Sequence, residues 1–278
     1  MTSVSRKIDL LIPIVLLLIL LISASAALQP TSYLIQSSGS ISYSGYVFYD
    51  DFETGDFSKW DKGAPSGPEG ETGSVEYGMT LTNDPLNVYS GEWSAHAPSE
   101  YGTMPCARHG WLARNYPVLY TQAKIMWDIT ELQLGKRLDL LKVHGQTYEE
   151  SHCVRGVKAA VERRSVGEEI HIQWCLAVWM DTNGDGVGEL PHYYSTQQMD
   201  PTPNTWYIVE IMCRKDAVNG EGRMWINGVE LTDISQVGVD TSDQANLNQH
   251  RISAQYNTNT ATGNVYYDEV IVDDAYIG

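Results

Sequence analysis

The residues best placed to do chemistry are one short acidic run and one mixed strand. Asp181-Thr182-Asn183-Gly184-Asp185-Gly186-Val187-Gly188-Glu189 opens with the D-x-[DN]-x-D-G pattern of a calcium loop. Oxygens at alternate positions converge on a hard cation, and Gly186 permits the sharp turn. The twelfth position is His192 instead of Glu, so Glu189 or water would complete the shell. The same residues also make an Asx-rich hairpin turn without metal. Ahead of the run, period two places His171, Gln173 and Trp179 on one strand face and Ile170, Ile172 and Trp174 on the other. Tyr193 and Tyr194 follow the run. A sugar site needs aromatic platforms and planar polar groups. His171, Gln173, Trp179, Tyr193 and Tyr194 are therefore candidate ligand-binding residues, and most other Trp residues are assigned to core.

These residues must be positioned by strands. No sustained helical amphipathicity follows residue 45, and short apolar runs alternate with Gly, Asn, Asp and Pro. Strands are expected over 46–52, 118–129, 138–144, 153–163, 169–179, 206–214, 222–226 and 265–272. Leu119, Thr121, Ala123, Ile125, Trp127 and Ile129 share a face, opposite Tyr120, Gln122 and Lys124. Turns are expected at 183–186, at 219–222 and at Asn227-Gly228, where two positive φ values suit a tight hairpin. Many strands with frequent turns and no βα alternation mean a sandwich or barrel.

The first 26 residues read as an export signal: Arg6 and Lys7, an apolar run over 10–22, then Ala24-Ser25-Ala26. The alternative is an uncleaved anchor, although a spanning helix needs about 20 apolar residues. Residues 27–45 form a Ser/Gly-rich linker, and 46–278 form one domain. The expected location is secreted or extracellular, or anchored to a membrane through the N-terminal segment. A net charge of −17 disfavours nucleic acid as a partner. Cys106, Cys153, Cys175 and Cys213 allow two disulfides after export, or buried thiols. Cys153 and Cys175 flank a hairpin turn at 165–167 and are the expected pair.

Three segments together resemble a known superfamily. They are Tyr49-Asp50-Asp51-Phe52-Glu53-Thr54-Gly55-Asp56-Phe57-Ser58-Lys59-Trp60, Ser90-Gly91-Glu92-Trp93-Ser94-Ala95 and Val265-Tyr266-Tyr267-Asp268-Glu269-Val270-Ile271-Val272. Their order is similar to jelly-roll domains of the concanavalin A-like lectin/glucanase group, which includes laminin-G-like and carbohydrate-binding modules. The resemblance implies an all-β jelly-roll sandwich of two antiparallel sheets, with first and last strands side by side. Phe52, Phe57 and Trp60 would anchor the entering chain, and Tyr266, Val270 and Val272 would face the core. It also implies structural calcium at that seam, held by Glu53 and Asp268 with carbonyls from residues 90–92.

The array of carboxylates at alternate positions that glucanases of this fold use is absent. Lyases of the fold resemble one another in using Arg, Gln or Asn, His and Tyr on the concave sheet. His171, Gln173 and Tyr256 would fill those roles here, with Arg155 and Lys158 adding charge. The His and Gln order is reversed from the familiar Q-I-H, and no R-x-E-x-R triplet is present. The leading expectation is a calcium-stabilised module that binds a polysaccharide, glycan or cell-surface protein without cleaving it. The alternative is a polysaccharide lyase acting by β-elimination on uronic-acid polymers. A third class is an adhesion scaffold with no sugar site. Converging His, Tyr and Arg on the concave face would favour the lyase; parallel exposed aromatics would favour binding.

Overall fold

A computed structural model describes residues 45–60, 79–99, 106–129, 132–145, 155–243, 247–256 and 263–278, without the side chains at 106–111, 113, 255 and 256. The chain divides into residues 1–42 and 43–278. The expected signal at 1–26 and the linker up to 44 lie outside the described residues. Among the described residues, no helix is long and apolar enough to cross a membrane.

The described elements are all strands: β1 (Phe48–Asp50), β2 (Thr80–Thr82), β3 (Ser94–Ser99), β4 (Cys106–Tyr116), β5 (Val118–Trp127), β6 (Arg137–His144), β7 (Gly156–Val166) and β8 (Glu169–Val178). They continue with β9 (His192–Met199), β10 (Tyr207–Arg214), β11 (Gly220–Ile226), β12 (Val229–Glu230), β13 (Gln236–Val239), β14 (Leu247–Tyr256) and β15 (Gly263–Asp273). One nine-stranded sheet runs β12-β11-β10-β5-β15-β3-β2, with β1 on β15 and β13 on β11. A six-stranded sheet runs β4-β14-β6-β7-β8-β9. The fold is an all-β jelly-roll sandwich of two antiparallel sheets.

Alternation builds the core between the sheets. Leu119, Thr121, Ala123, Ile125 and Trp127 of β5 are buried on one side. Trp127 meets Trp174 of the other sheet edge to face at 5.6 Å, and Tyr207 stacks on Trp127 at 5.4 Å. First and last strands pair as expected, with Phe48 opposite Val272. Phe52 stacks on Trp60, and His250 packs between Phe48 and Trp60 at 4.3 and 4.8 Å. Asn227 and Gly228 take φ of 51° and 77°, closing β11 and β12 in a two-residue hairpin.

Several local expectations need correction. A bulge in β15 after Asp268 resets the alternation, so Val265, Tyr267, Val270 and Val272 enter the core. Tyr266 instead stacks on His96 at 5.2 Å. The turn expected at 219–222 falls earlier: Gly220–Gly222 already pairs with β13, and Asp216 caps the amides of Val218 and Asn219. Cys175 is a buried free thiol whose register partners are Ala160 and Tyr194, so the expected bond to Cys153 is not formed. Cys153 itself lies outside the described residues, and Cys213 is buried in β10.

Candidate functional site

The outer face of the six-stranded sheet is built by period two. On β7 and β8, Val157, Ala159, Val161, Trp174, Leu176 and Val178 face the core. Lys158, Ala160, Glu162, Gln173, Cys175 and Ala177 therefore face outward. On β6 the sequence alone misleads. Counting by twos from Leu138 through Leu140 would send Lys142 into the core. A register shift between Asp139 and Leu141 flips the alternation, so Leu138, Leu140, Leu141 and Val143 are core while Asp139 and Lys142 face outward.

This bulge completes a ladder row across five strands. Arg251 of β14 stands opposite Lys142 of β6, and Lys142 stands opposite Lys158 of β7. Lys158 stands opposite Ala177 of β8, and Ala177 opposite His192 of β9. The three cations span about 10 Å at the usual strand spacing. The next row reads Asp139, Ala160, Cys175 and Tyr194. Small side chains thus floor the strip between the β6–β7 cations and the β9 pair His192 and Tyr194. At the row's other flank His144 lies opposite Gly156. A Cβ at Gly156 would run into the Val143 carbonyl and into His144, so only glycine lets the two strands meet there.

The electrostatics follow from burial and these neighbours. Asp139 accepts from Arg137 Nε at 2.7 Å and from Lys158 Nζ at 2.8 Å. Burial pushes its carboxyl up, but the two cations outweigh that and hold it below the usual range. His192 is pushed down to about 4 by burial and by Arg137 and Lys158, so its imidazole is neutral at pH 7. Its Nε2 is buried and makes no hydrogen bond. Tyr194 donates its hydroxyl to Glu162 at 3.0 Å, and Arg164 lies 3.5 Å over its ring. Burial, with Cys175 and Glu162, pushes the Tyr194 phenol up to about 12. Cys175 is likewise pushed up to about 12 by burial and is a protonated, inert thiol.

The residues expected from sequence scatter around this strip. His171 shares the outer face but stands at the far end of β8, six residues and about 20 Å from Ala177. There its Nδ1 meets Asp200 at 2.7 Å and its Nε2 meets Glu169 at 3.3 Å, which raises its pKa. Gln173 is buried and donates its amide to the Ser195 carbonyl. Tyr256 lies opposite Leu138, and its side chain is outside the description. The aromatic platform does not form. Tyr193 and Tyr194 are consecutive in a strand, so Tyr193 packs on the core while Tyr194 faces outward. Trp179 donates to Asp243, and Arg155 covers its ring at 5.6 Å while also pairing with Asp243. Lys158 alone of the charges named from sequence reaches the row. Lys142, Arg251, Asp139, His144 and the role of His192 went unread, because non-local strand pairing brings them together and the β6 bulge turns Lys142 outward.

Both calcium expectations fall on described residues. At the seam, Asp268 accepts the amides of Tyr89 and Ser90, and Glu53 accepts those of Glu92 and Trp93. The two carboxylates therefore grip one loop, which turns at Gly91 with φ +73°. Asp268 is fully buried and pushed up to about 7 by burial, with Glu269 adding to the rise. In the other loop, Asp181 takes the amides of Asn183, Gly184 and Gly186. Asp185 caps Val187, and Glu189 folds back on Thr182 and Asn183. Among the described residues, no group of three or more His, Cys, Asp or Glu side chains gathers as a metal cluster.

Comparison with solved structures agrees with this architecture. Endo-β-1,4-glucuronan lyase from the fungus Trichoderma reesei superposes with a TM-score of 0.57 at 13% identity, over 83% of this chain and 96% of that one. The chain has a jelly-roll fold shared with that enzyme. Alginate lyase vAL-1 from Chlorella virus is similar at a TM-score of 0.47 and 10% identity, over 73% of this chain and 91% of that one. No protein-family model matches the chain, and no curated protein matches it in sequence.

Proposed function

We propose that the protein is a polysaccharide lyase that cleaves uronic-acid polymers by β-elimination on the outer face of the six-stranded sheet. The observation that carries this reading is the ladder row of Arg251, Lys142 and Lys158, facing His192 across Ala177. Like charges placed directly opposite destabilise a sheet, and this chain carries a net charge of −17. Gathering three cations on one strip of so acidic a chain suits an anionic substrate, even with Lys158 shared with Asp139. The fold shared with a glucuronan lyase is consistent with this reading, as is the lack of an aromatic platform for binding alone.

Elimination at a uronate removes the proton next to the carboxylate, breaks the bond to the 4-oxygen and leaves a carbon–carbon double bond. The carboxylate must be neutralised first, because its charge opposes the carbanion-like transition state. Lys142, Lys158 and Arg251 serve that end. His192, neutral at pH 7, is the group that takes the proton. Substrate carboxylate quenches the cations that hold His192 down, so its basicity rises when it is needed. Tyr194, protonated across the neutral range, gives its proton to the leaving oxygen. The cycle leaves His192 protonated and Tyr194 deprotonated, and solvent exchange restores both. Incubation with polyglucuronate and polymannuronate tests this: unsaturated products should accumulate, and His192→Ala should abolish them.

Calcium at the seam is proposed as a structural ion, held by Glu53 and Asp268 with carbonyls from residues 90–92. It would compensate the buried Asp268 carboxylate. Export is also proposed, from the 1–26 segment; mass spectrometry of exported protein should find Ala27 or a near neighbour at the N-terminus, and a retained Met1 would favour an anchor.

A further inference from the structure

We propose that Asp139 is a positioning residue for the elimination: it spaces Arg137 and Lys158 around one buried carboxylate and offsets part of their charge beside His192. The proposal rests on the elimination reading above and extends it to a residue that does not touch substrate.

The geometry is specific. Arg137 approaches one carboxylate oxygen at 2.7 Å and Lys158 the other at 2.8 Å, so each cation has its own acceptor and direction. Asp139 is the residue at which the β6 register shifts. Its own carbonyl accepts the Ser253 hydroxyl of β14, which fixes the bulge from the far side. One carboxylate thereby sets the placement of Lys158 and of Arg137, beside the bulge that turns Lys142 outward. A cation misplaced by an ångström loses much of its grip on a carboxylate.

The same carboxylate governs the field at His192. Among the described residues, the charged or titratable groups on this face around His192 are Lys158 and Glu162 from β7, Arg137, Asp139, Lys142 and His144 from β6, Arg251 from β14, Cys175 from β8, and Tyr194 on its own strand. Among the groups acting on His192, Arg137 and Lys158 lower its pKa, whereas Asp139 raises it. Removing Asp139 takes away the carboxylate that both cations share beside the imidazole.

The test combines nuclear magnetic resonance titration of His192 with kinetics on a polyuronate, in wild type and Asp139→Asn. The His192 midpoint should fall below its wild-type value, and the acid limb of kcat/KM should move to lower pH with it. The kcat should drop by about tenfold to a hundredfold. Asp139→Glu keeps the charge, so it should restore the midpoint while recovering only part of kcat. An unchanged midpoint in Asp139→Asn would overturn the proposal, as would a shifted midpoint with unaltered kcat and pH profile. If Asp139→Asn does not fold, Lys158→Gln replaces it in the titration with the opposite expectation, a raised midpoint; no movement there also overturns the proposal. Wild type that eliminates nothing would instead refute the elimination reading, and the role of Asp139 in it would fall as well. The His192 titration would still report separately whether Asp139 sets the local field.

Discussion

Lys142 stands directly opposite Lys158 in the register of β6 and β7, and both side chains face the same way. Lys142 is only 8% exposed, so this juxtaposition is held largely out of water. Folding tolerates such a pair when it serves another end, as sites built for charged ligands do.

Replacing one member should therefore separate stability from activity. Lys142→Met keeps the apolar stem and removes the like-charge contact with Lys158, worth about 0.2–1 kcal/mol, together with the other interactions of Lys142. Its melting temperature should stay close to that of wild type, while kcat/KM on a uronic-acid polymer should fall at least about tenfold. Thermal melting and steady-state kinetics on the same preparation check both halves. A variant that melts lower and keeps its activity contradicts the account.

The seam makes a prediction with a pH sign. Asp268 has its folded pKa raised from 3.8 to about 7, so the folded state holds its proton more tightly than the unfolded chain. Its contribution is most favourable below pH 3.8 and worsens as pH rises through 7, by a few kcal/mol in all. A calcium ion binding the ionised carboxylate reverses that loss by mass action. Added calcium should raise the melting temperature more at pH 8 than at pH 5, and Asp268→Asn should remove the difference. No calcium-dependent shift at pH 8 would sink the seam proposal. A shift that survives Glu53→Gln with Asp268→Asn and is lost in Asp181→Ala would move the ion to the 181–189 loop.

On the elimination reading, His171 is a structural clamp that ties β8 to Asp200. Its hydrogen bond to Asp200 is the main cause of its raised pKa, with Glu169 adding to it. The clamp's contribution is complete below the ordinary value of 6.5 and is lost as pH rises through the raised folded value. His171→Ala should flatten the pH dependence of melting in that window and leave kcat within about twofold of wild type. Activity abolished by His171→Ala would return the catalytic role to the residue that its strand pattern first suggested.

The fold was more legible than the site, for a physical reason. Alternation in 118–127, the Asn227-Gly228 turn and the pairing of the first and last segments all follow from local period and turn chemistry. The strip depends on non-local register. His171 and Gln173 stand out because they lie together in one strand, yet one is tied to Asp200 and the other to the Ser195 carbonyl. Lys142 and Lys158 are sixteen residues apart and meet only because the bulge at Asp139 moves the later half of β6 by one place. A weak signal was present in Arg137-Leu138-Asp139 followed by Lys142-Val143-His144, two polar–apolar–polar triplets out of phase. Such a phase slip within one strand is the mark of a bulge. His192 was hidden by its place in the count of the acidic loop.

The central claim is elimination at a uronate carboxylate, and its most direct test is product analysis on two matched polymers. A uronic-acid polymer and its carboxyl-reduced counterpart should be incubated with wild type, His192→Ala and Tyr194→Phe, and new chain ends analysed by mass spectrometry and ultraviolet absorbance. The account predicts unsaturated ends from the intact polymer with wild type alone, and losses of about a hundredfold or more in both variants. It predicts no cleavage of the reduced polymer, which has no carboxylate for the cation row. Saturated ends, cleavage of the reduced polymer, or tight binding of the intact polymer with no cleavage would contradict it.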